Sequence, residues 1–345
     1  MCGIVAAIAG NNIVPVLIEG LTRLEYRGYD SAGLAVLNPA LTRFRSVGRV
    51  ATLAKEVGSL SAGCGIAHTR WATHGVPSER NAHPHISAGL AVVHNGIIEN
   101  FAEIKQELAA NGYAFTSDTD TEVVAHLIQE TLKSAPDLFE AVRLATVRLV
   151  GAYAIAVLRE DEQRVIVARN GAPLLLGLGE QGHYAASDAA ALLQVTRTMI
   201  YLEDGDVAEI ARHGVRIIRQ DGSAADRPRF ESSLSADAVE LGQYRHYMQK
   251  EIFEQPQALA NTLEMIAGGA GLSPNLFGTS APDIMRDTRG VLIIACGTSH
   301  HAGLVARYWI EQLAGLPCQV EIASEYRYRD SVPSPDVLVV AISQS

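Results

Sequence analysis

The chain has 345 residues, 28 of them lysine or arginine and 38 aspartate or glutamate, for a formal net charge of −10. That length favours two domains over one, and the acidic balance, without a basic run to track a phosphate backbone, argues against nucleic acid as a partner. A hydrophobic content of 48% with 30 glycines suits a compact α/β protein, and no stretch approaches the ~20 unbroken apolar residues of a membrane helix.

Taken in chain order, the periodicity predicts a strand at 2–8, a helix at 15–26, and strands at 32–37, 64–68 and 90–94. Helices follow at 101–110, 121–132 and 138–150, then strands at 153–158 and 164–168. Strands interrupted by helix pairs predict a layered sheet sandwich covered by helices, an α/β (α+β) domain over 2–219. Residues 220–250 begin polar and aperiodic and read as an interdomain linker. Beyond it come a helix at 251–265, an apolar strand at 291–295, a helix at 301–313 and strands at 319–322 and 337–342. Strand, small polar loop, helix and strand begin a parallel βαβ sheet, whose ligands settle at the carboxyl ends of the strands. Such a sheet is covered on both faces, so the segment 251–345 is expected to be an incomplete domain.

The four cysteines, Cys2, Cys64, Cys296 and Cys318, stand far apart with no CxxC pair, and the first residues lack the basic and apolar segments of a secretory signal. Both features predict a reduced, cytoplasmic chain without disulfides or a zinc site. Cys2 directly follows Met1, so removal of one residue would place a thiol and an α-amine on the same residue. A thiol titrates near ~8.5 and an α-amine near ~8, which makes the pair a self-contained nucleophile and base.

Covalent attack on a carboxamide also needs oxyanion donors and groups to hold the rest of the substrate. His94-Asn95-Gly96 ends an apolar strand and offers an Asn amide with a nearby backbone N–H; the same Asn-Gly pair is the commonest hairpin signal. Arg70 could clamp a carboxylate at two points or sit in a surface salt bridge. Asp120 opens a helix, where it could cap the backbone or receive an ammonium group. His68, His74, His83 and His85 form a loose cluster, but only His83-Pro84-His85 has close spacing, which disfavours a metal. In the second segment, Thr298-Ser299 precedes a helix and Ser343-Gln344-Ser345 follows a strand, an arrangement that could hold an anion such as a sugar phosphate or simply cap a helix.

Several runs together resemble one family, the isomerizing glutamine–fructose-6-phosphate aminotransferases, also called glucosamine-6-phosphate synthases. They are Met1-Cys2-Gly3-Ile4-Val5, Arg27-Gly28-Tyr29-Asp30-Ser31-Ala32-Gly33, His68-Thr69-Arg70-Trp71-Ala72-Thr73-His74-Gly75, His94-Asn95-Gly96, Asp118-Thr119-Asp120-Thr121-Glu122, Tyr244-Arg245-His246-Tyr247-Met248 and Ala295-Cys296-Gly297-Thr298-Ser299. The resemblance implies a four-layer αββα N-terminal-nucleophile sandwich followed by the start of a parallel αβα sugar-isomerase (SIS) domain. It implies Cys2 as nucleophile with its own amine as base, and Asn95 with the Gly96 N–H as oxyanion donors. Arg70 is then the clamp for the α-carboxylate of glutamine and Asp120 the partner of its α-amine, with Thr73, His74 and His83 lining the pocket. Trp71 resembles a gate on the ammonia path, and Arg27 lies in a closing loop. Thr298, Ser299, Ser343, Gln344 and Ser345 match phosphate-contacting positions. The implied substrates are glutamine and fructose 6-phosphate, with no metal or organic cofactor and a homodimeric whole enzyme. The isomerase residues of the family lie beyond Ser345, so only the glutaminase half is expected to act. Two other readings are a non-catalytic sugar-phosphate-binding regulator and a sister amidotransferase with a different second domain.

Overall fold

The computed structural model describes residues 2–25, 28–71, 75–232, 244–267, 281–332 and 334–343. They form two compact units that divide between Gln243 and Tyr244.

The first unit is built on two antiparallel sheets. In spatial order the larger one runs β14 (Arg229–Glu231), β11 (Thr198–Tyr201), β9 (Leu175–Leu178), β10 (Gly182–Ala186), β1 (Gly3–Ala9), β4 (Cys64–Arg70), β2 (Ser31–Asn38) and β3 (Ala40–Val47). The other runs β13 (Gly214–Arg219), β12 (Asp206–Ala211), β8 (Arg164–Asn170), β7 (Gly151–Arg159), β6 (Leu90–Ile98) and β5 (His85–Ser87). Ile4, Ala6 and Ile8 of β1 and Ile66 of β4 share one core cluster with Val93, Ala154, Ala156 and Val165, so the sheets pack face to face. Helices cover both outer faces. Helix α1 (Val14–Leu24) and α2 (Val50–Val57) press Leu17, Leu21, Leu24 and Leu53 onto the larger sheet. Helices α3 (Phe101–Ala110), α4 (Thr121–Leu132) and α5 (Leu138–Arg148) set Ile104, Leu108, Val124, Leu127 and Val142 on the smaller one. The unit is therefore the expected αββα sandwich. Because both faces of the central strands are covered, β1 reads as an unbroken buried run rather than an alternating one.

The stretch read as a linker is not uniformly irregular. Its residues 229–231 form β14, paired to β11, and Arg227 donates two 2.8 Å hydrogen bonds to the fully buried Asp206. A three-residue edge strand is too short to show a period, and the anchoring ion pair joins residues 21 positions apart. Helix α6 (Tyr247–Ala267) likewise begins four residues earlier than the reading from 251.

In the second unit β15 (Gly290–Ala295) lies between β16 (Cys318–Ile322) and β17 (Val337–Ile342), all parallel, as the βαβ reading expects. Helix α7 (Ala281–Asp287) precedes β15, and α8 (Gly297–Trp309) follows it and continues through a π-helical turn at Ile310–Ala314. The short α9 (Ala323–Tyr328) follows β16. The core of this unit centres on Val291, Ile293 and Cys318. Among the described residues no helix is long and apolar enough to cross a membrane.

Candidate active site

Pairing of β1 with β4 in the register Gly3↔Thr69 delivers Cys2 to the end of β4, beside Arg70 and Trp71. The Trp71 N–H donates to Cys2 Sγ at 3.2 Å, and the sulfur lies 3.6 Å from the Trp71 carbonyl oxygen. Gly28 lets the neighbouring chain pass close by: a Cβ there would stand 2.7 Å from the Arg70 carbonyl carbon and 2.8 Å from the Trp71 nitrogen. Burial pushes the Cys2 thiol up, while the Trp71 backbone bond and the Arg70 charge pull it down. Burial prevails and holds the thiol above its ordinary value, so the sulfur needs a base to become a thiolate, while the Trp71 N–H and the Arg70 charge offset part of that shift.

The second sheet supplies the facing wall. Asn95 Nδ2 donates to the Cys2 carbonyl oxygen at 3.1 Å, which ties β6 to the start of β1 across the sandwich. The hairpin reading of Asn95-Gly96 is corrected here, because β6 continues to Ile98 with Gly96 paired to Tyr153. Gly96 has φ +123°, and a Cβ on it would stand 1.9 Å from the Ala152 carbonyl oxygen. The glycine therefore serves a close backbone approach within a strand, not a chain reversal.

Two other ordinary readings also give way. Arg70 is 3% exposed, so it is not a surface salt-bridge residue; it donates to the Gly75 carbonyl oxygen at 3.0 Å. Burial lowers its pKa, while Cys2, Asp120 and Asp30 lie close enough to favour its charge. Asp120 occupies the N-cap position of α4 without making a capping bond; its Oδ2 instead accepts from the Ile98 N–H at 2.9 Å, and the residue is 4% exposed.

One narrow cleft gathers Cys2, Arg70, Trp71, His83, Gly96 and Asp120 from the sequence-derived set. His94, Thr119 and Thr121 line it too, although sequence reading did not single them out. Their position inside the quoted runs was the available signal. His94 Nδ1 is 2.9 Å from Thr121 Oγ1, which links β6 to the first turn of α4. Trp71 is 45% exposed at the rim and meets Tyr29 edge-on at 5.7 Å. Arg27, Thr73 and His74 lie outside the described residues.

Of the histidine cluster, His68, His83 and His85 come together, with ring centroids 4.1 and 5.0 Å apart. Burial pushes His68 and His85 down to about 3 and His83 well below its ordinary value, so all three are neutral near pH 7. No group of His, Cys, Asp or Glu among the described residues is arranged to hold a metal ion.

In the second unit Thr298 and Ser299 stand in the first turn of α8, whose N-cap is Cys296 rather than a hydroxyl residue. Ser343 follows β17, the neighbour of β15, so the two loops emerge at adjacent parallel strand ends. Gln344 and Ser345 lie outside the described residues.

Comparison with known proteins finds relatives across the chain. Residues 68–194 match a glutamine amidotransferase domain and residues 284–345 a SIS domain. The whole chain is 54% identical to the glutamine–fructose-6-phosphate aminotransferase (isomerizing) of Xylella fastidiosa and 56% identical to that of Xanthomonas campestris. It spans 57% of the length of each. The fold is also that of the glutamine phosphoribosylpyrophosphate amidotransferase from B. subtilis, at a TM-score of 0.59 and 21% identity, over 92% of this chain and 65% of that one.

Proposed function

We propose, for a chain that belongs to the family of isomerizing glutamine–fructose-6-phosphate aminotransferases, that Cys2 hydrolyses the side-chain amide of glutamine once Met1 is removed. The observation that carries this reading is the convergence of Cys2, Gly96 and the two opposite charges Arg70 and Asp120 on one cleft, with the Asn95 amide bonded to the Cys2 carbonyl oxygen beside it. The unblocked α-amine takes the thiol proton, and the thiolate attacks the amide carbon. Asn95 Nδ2 and the Gly96 N–H receive the negative charge that develops on the oxygen. Collapse expels ammonia, which leaves with the proton held by the amine, and a glutamyl thioester remains on Cys2. Water then releases glutamate and restores the thiol.

Arg70 and Asp120 give the cleft its selectivity. The guanidinium suits the α-carboxylate and the carboxylate suits the α-ammonium, so a free amino acid fits and an amide within a peptide chain does not. His83 lines the cleft and Trp71 stands at its rim on the ammonia path, and Thr73, His74 and Arg27 are the residues that the family resemblance adds to glutamine binding. In the whole enzyme that ammonia converts fructose 6-phosphate to glucosamine 6-phosphate, with Thr298, Ser299, Ser343, Gln344 and Ser345 holding the sugar phosphate. No metal or organic cofactor takes part, and the enzyme works as a cytoplasmic homodimer.

The test pairs intact mass with labelling by an electrophilic glutamine analogue. One adduct on Cys2 of a chain lacking Met1, absent from Cys2→Ser, is expected. Glutamine hydrolysis should fall by at least about 10³-fold in Cys2→Ser. Turnover at the parent rate in that variant, or in a chain that keeps Met1, would sink the reading.

A further inference from the structure

We propose that His68 is a positioning residue that fixes the side-chain amide of Asn95 in the orientation needed to receive the oxyanion. The inference rests on the proposed role of Asn95. His68 belongs to β4 of the larger sheet, is 1% exposed, and reaches across the sandwich to β6 of the smaller one. Its Nε2 lies 2.9 Å from the His94 carbonyl oxygen and 3.0 Å from Asn95 Oδ1. Both partners are acceptors, so Nε2 must carry the imidazole proton. His68 Nδ1 is then the lone-pair nitrogen, and it has no hydrogen-bond partner among the described residues. His83 Nδ1, 3.2 Å from the same Nε2, can only accept as well, which puts the His83 proton on its Nε2.

With that proton placed, the amide of Asn95 has one satisfactory orientation. Oδ1 accepts from His68 Nε2–H, and Nδ2 donates to the Cys2 carbonyl oxygen at 3.1 Å. Turning the amide over would set N–H against N–H at His68 and oxygen against oxygen at Cys2, two repulsive contacts in a buried place. One hydrogen of Nδ2 is used by Cys2, and the other is left for the substrate oxygen. His68 touches no substrate in this scheme. It acts through Asn95, and its neutral, single-proton form is enforced by burial and by the neighbouring His94.

The test is the steady-state kinetics of glutamine hydrolysis by the processed full chain and by His68→Leu, His68→Gln, Asn95→Ala and the double variant His68→Leu/Asn95→Ala. Loss of the donor in His68→Leu should lower kcat roughly 10- to 100-fold, less than direct removal of an oxyanion donor. KM for glutamine should stay within about threefold, since the amide works on the transition state. His68→Gln, whose amide N–H can reach the place of Nε2, should recover most of the rate. The double variant should be no slower than Asn95→Ala, because the two residues act as one unit. A parental kcat in His68→Leu beside a slow Asn95→Ala overturns the inference and leaves the role of Asn95 standing. Parental turnover in Asn95→Ala removes that role and the inference together. Losses that multiply in the double variant also overturn it. If His68→Leu does not fold, His68→Gln is set against His68→Asn, whose shorter amide reaches only the Nδ1 position: a fast Gln and a slow Asn variant support the positioning role, and equal rates refute it.

Discussion

The two units solve the same problem, holding polar groups at strand ends, under opposite packing conditions. In the first, β1 and β4 are buried throughout and β6 is buried as far as Asn95, and Arg70, Asp120 and Asn95 are 3, 4 and 7% exposed. In the second, β17 is at best half-buried along its length, and Leu304, Val305, Tyr308 and Trp309 of α8 are exposed. Thr298 and Ser343 are exposed as well. A group is held in productive geometry only as firmly as the backbone and neighbours around it. The candidate cleft therefore rests on buried side chains with hydrogen-bond partners, Arg70 on Gly75, Asp120 on Ile98 and Asn95 on Cys2, whereas the small polar loops of the SIS unit stand on a sheet with little cover. The expected consequence is two thermal transitions, with the second unit melting first.

The largest effect expected to sharpen this contrast comes from Gly96→Ala. The backbone there has φ +123°, and a Cβ would meet the Ala152 carbonyl oxygen at 1.9 Å. Gly96 and Ala152 stand inside the β6–β7 ladder, where Gly96 pairs with Tyr153 and Ile97 with Ala152, so the strands cannot part there without losing that pairing. Strain and overlap together should cost the first unit roughly 4 kcal/mol or more. Calorimetry should then show the upper transition lost or collapsed onto the lower one, which itself stays in place. A lower transition that moved by the same amount would break the comparison, since the units would be melting as one body.

A second test is pH. His68 and His85 are held by burial at about 3, whereas an unfolded histidine takes up its proton near ~6.5. Between those values the unfolded chain binds protons that the folded chain refuses, so stability is full above pH ~6.5 and is lost as the pH falls toward 3. Each such histidine contributes a slope of about 1.4 kcal/mol per pH unit within that window. The second unit has no buried histidine among its described residues. Urea unfolding at pH 7 and pH 5 should therefore separate the two units, with the first losing the more, and His85→Gln should flatten its slope. An unchanged midpoint for the first unit over that range would refute the neutral cluster.

Much of this architecture was legible in the sequence, and the failures have physical reasons. Helices 101–110 and 121–132 and the strand 337–342 have the bounds read from periodicity, because each keeps one clear pattern from end to end. Strands β3, β5 and β9 to β14 and helices α2, α7 and α9 escaped notice, several of them short or solvent-facing, where hydrophobic alternation is weak. Within the site, local rules misjudged Asn95-Gly96, Arg70 and Asp120, since a turn, a salt bridge and a helix cap are what those residues do when only their neighbours in sequence matter. Long-range pairing overrode two of them, Gly96 against Ala152 and Asp120 on the Ile98 N–H, while Arg70 is buried and bonds the Gly75 carbonyl oxygen only five residues on. Residues that break a local rule for a distant partner gather at functional sites. The role of His68 had no sequence signal at all, because its partners, His94 and Asn95, are reached only across the sheet seam.

The smallest expected effect tests the other side of the contrast. Ile293 sits in β15, the central strand of the three, and is 2% exposed. It meets α8 at Gly303, where an added Cβ would approach Ile293 Cγ2 at 3.0 Å, so helix and sheet already touch at the limit of close packing. Ile293→Val removes one methyl group from a core that centres on Val291, Ile293 and Cys318, at a cost of about 0.5–1.5 kcal/mol. A unit of this size converts each kcal/mol into roughly 4–8 °C, so the lower transition should fall by several degrees. The upper transition and the rate of glutamine hydrolysis should stay where they are, because every residue of the cleft belongs to the first unit. A drop in hydrolysis with the upper transition unmoved would mean that packing in the SIS unit reaches the glutamine site, and that the two regions are coupled in function even where they unfold apart.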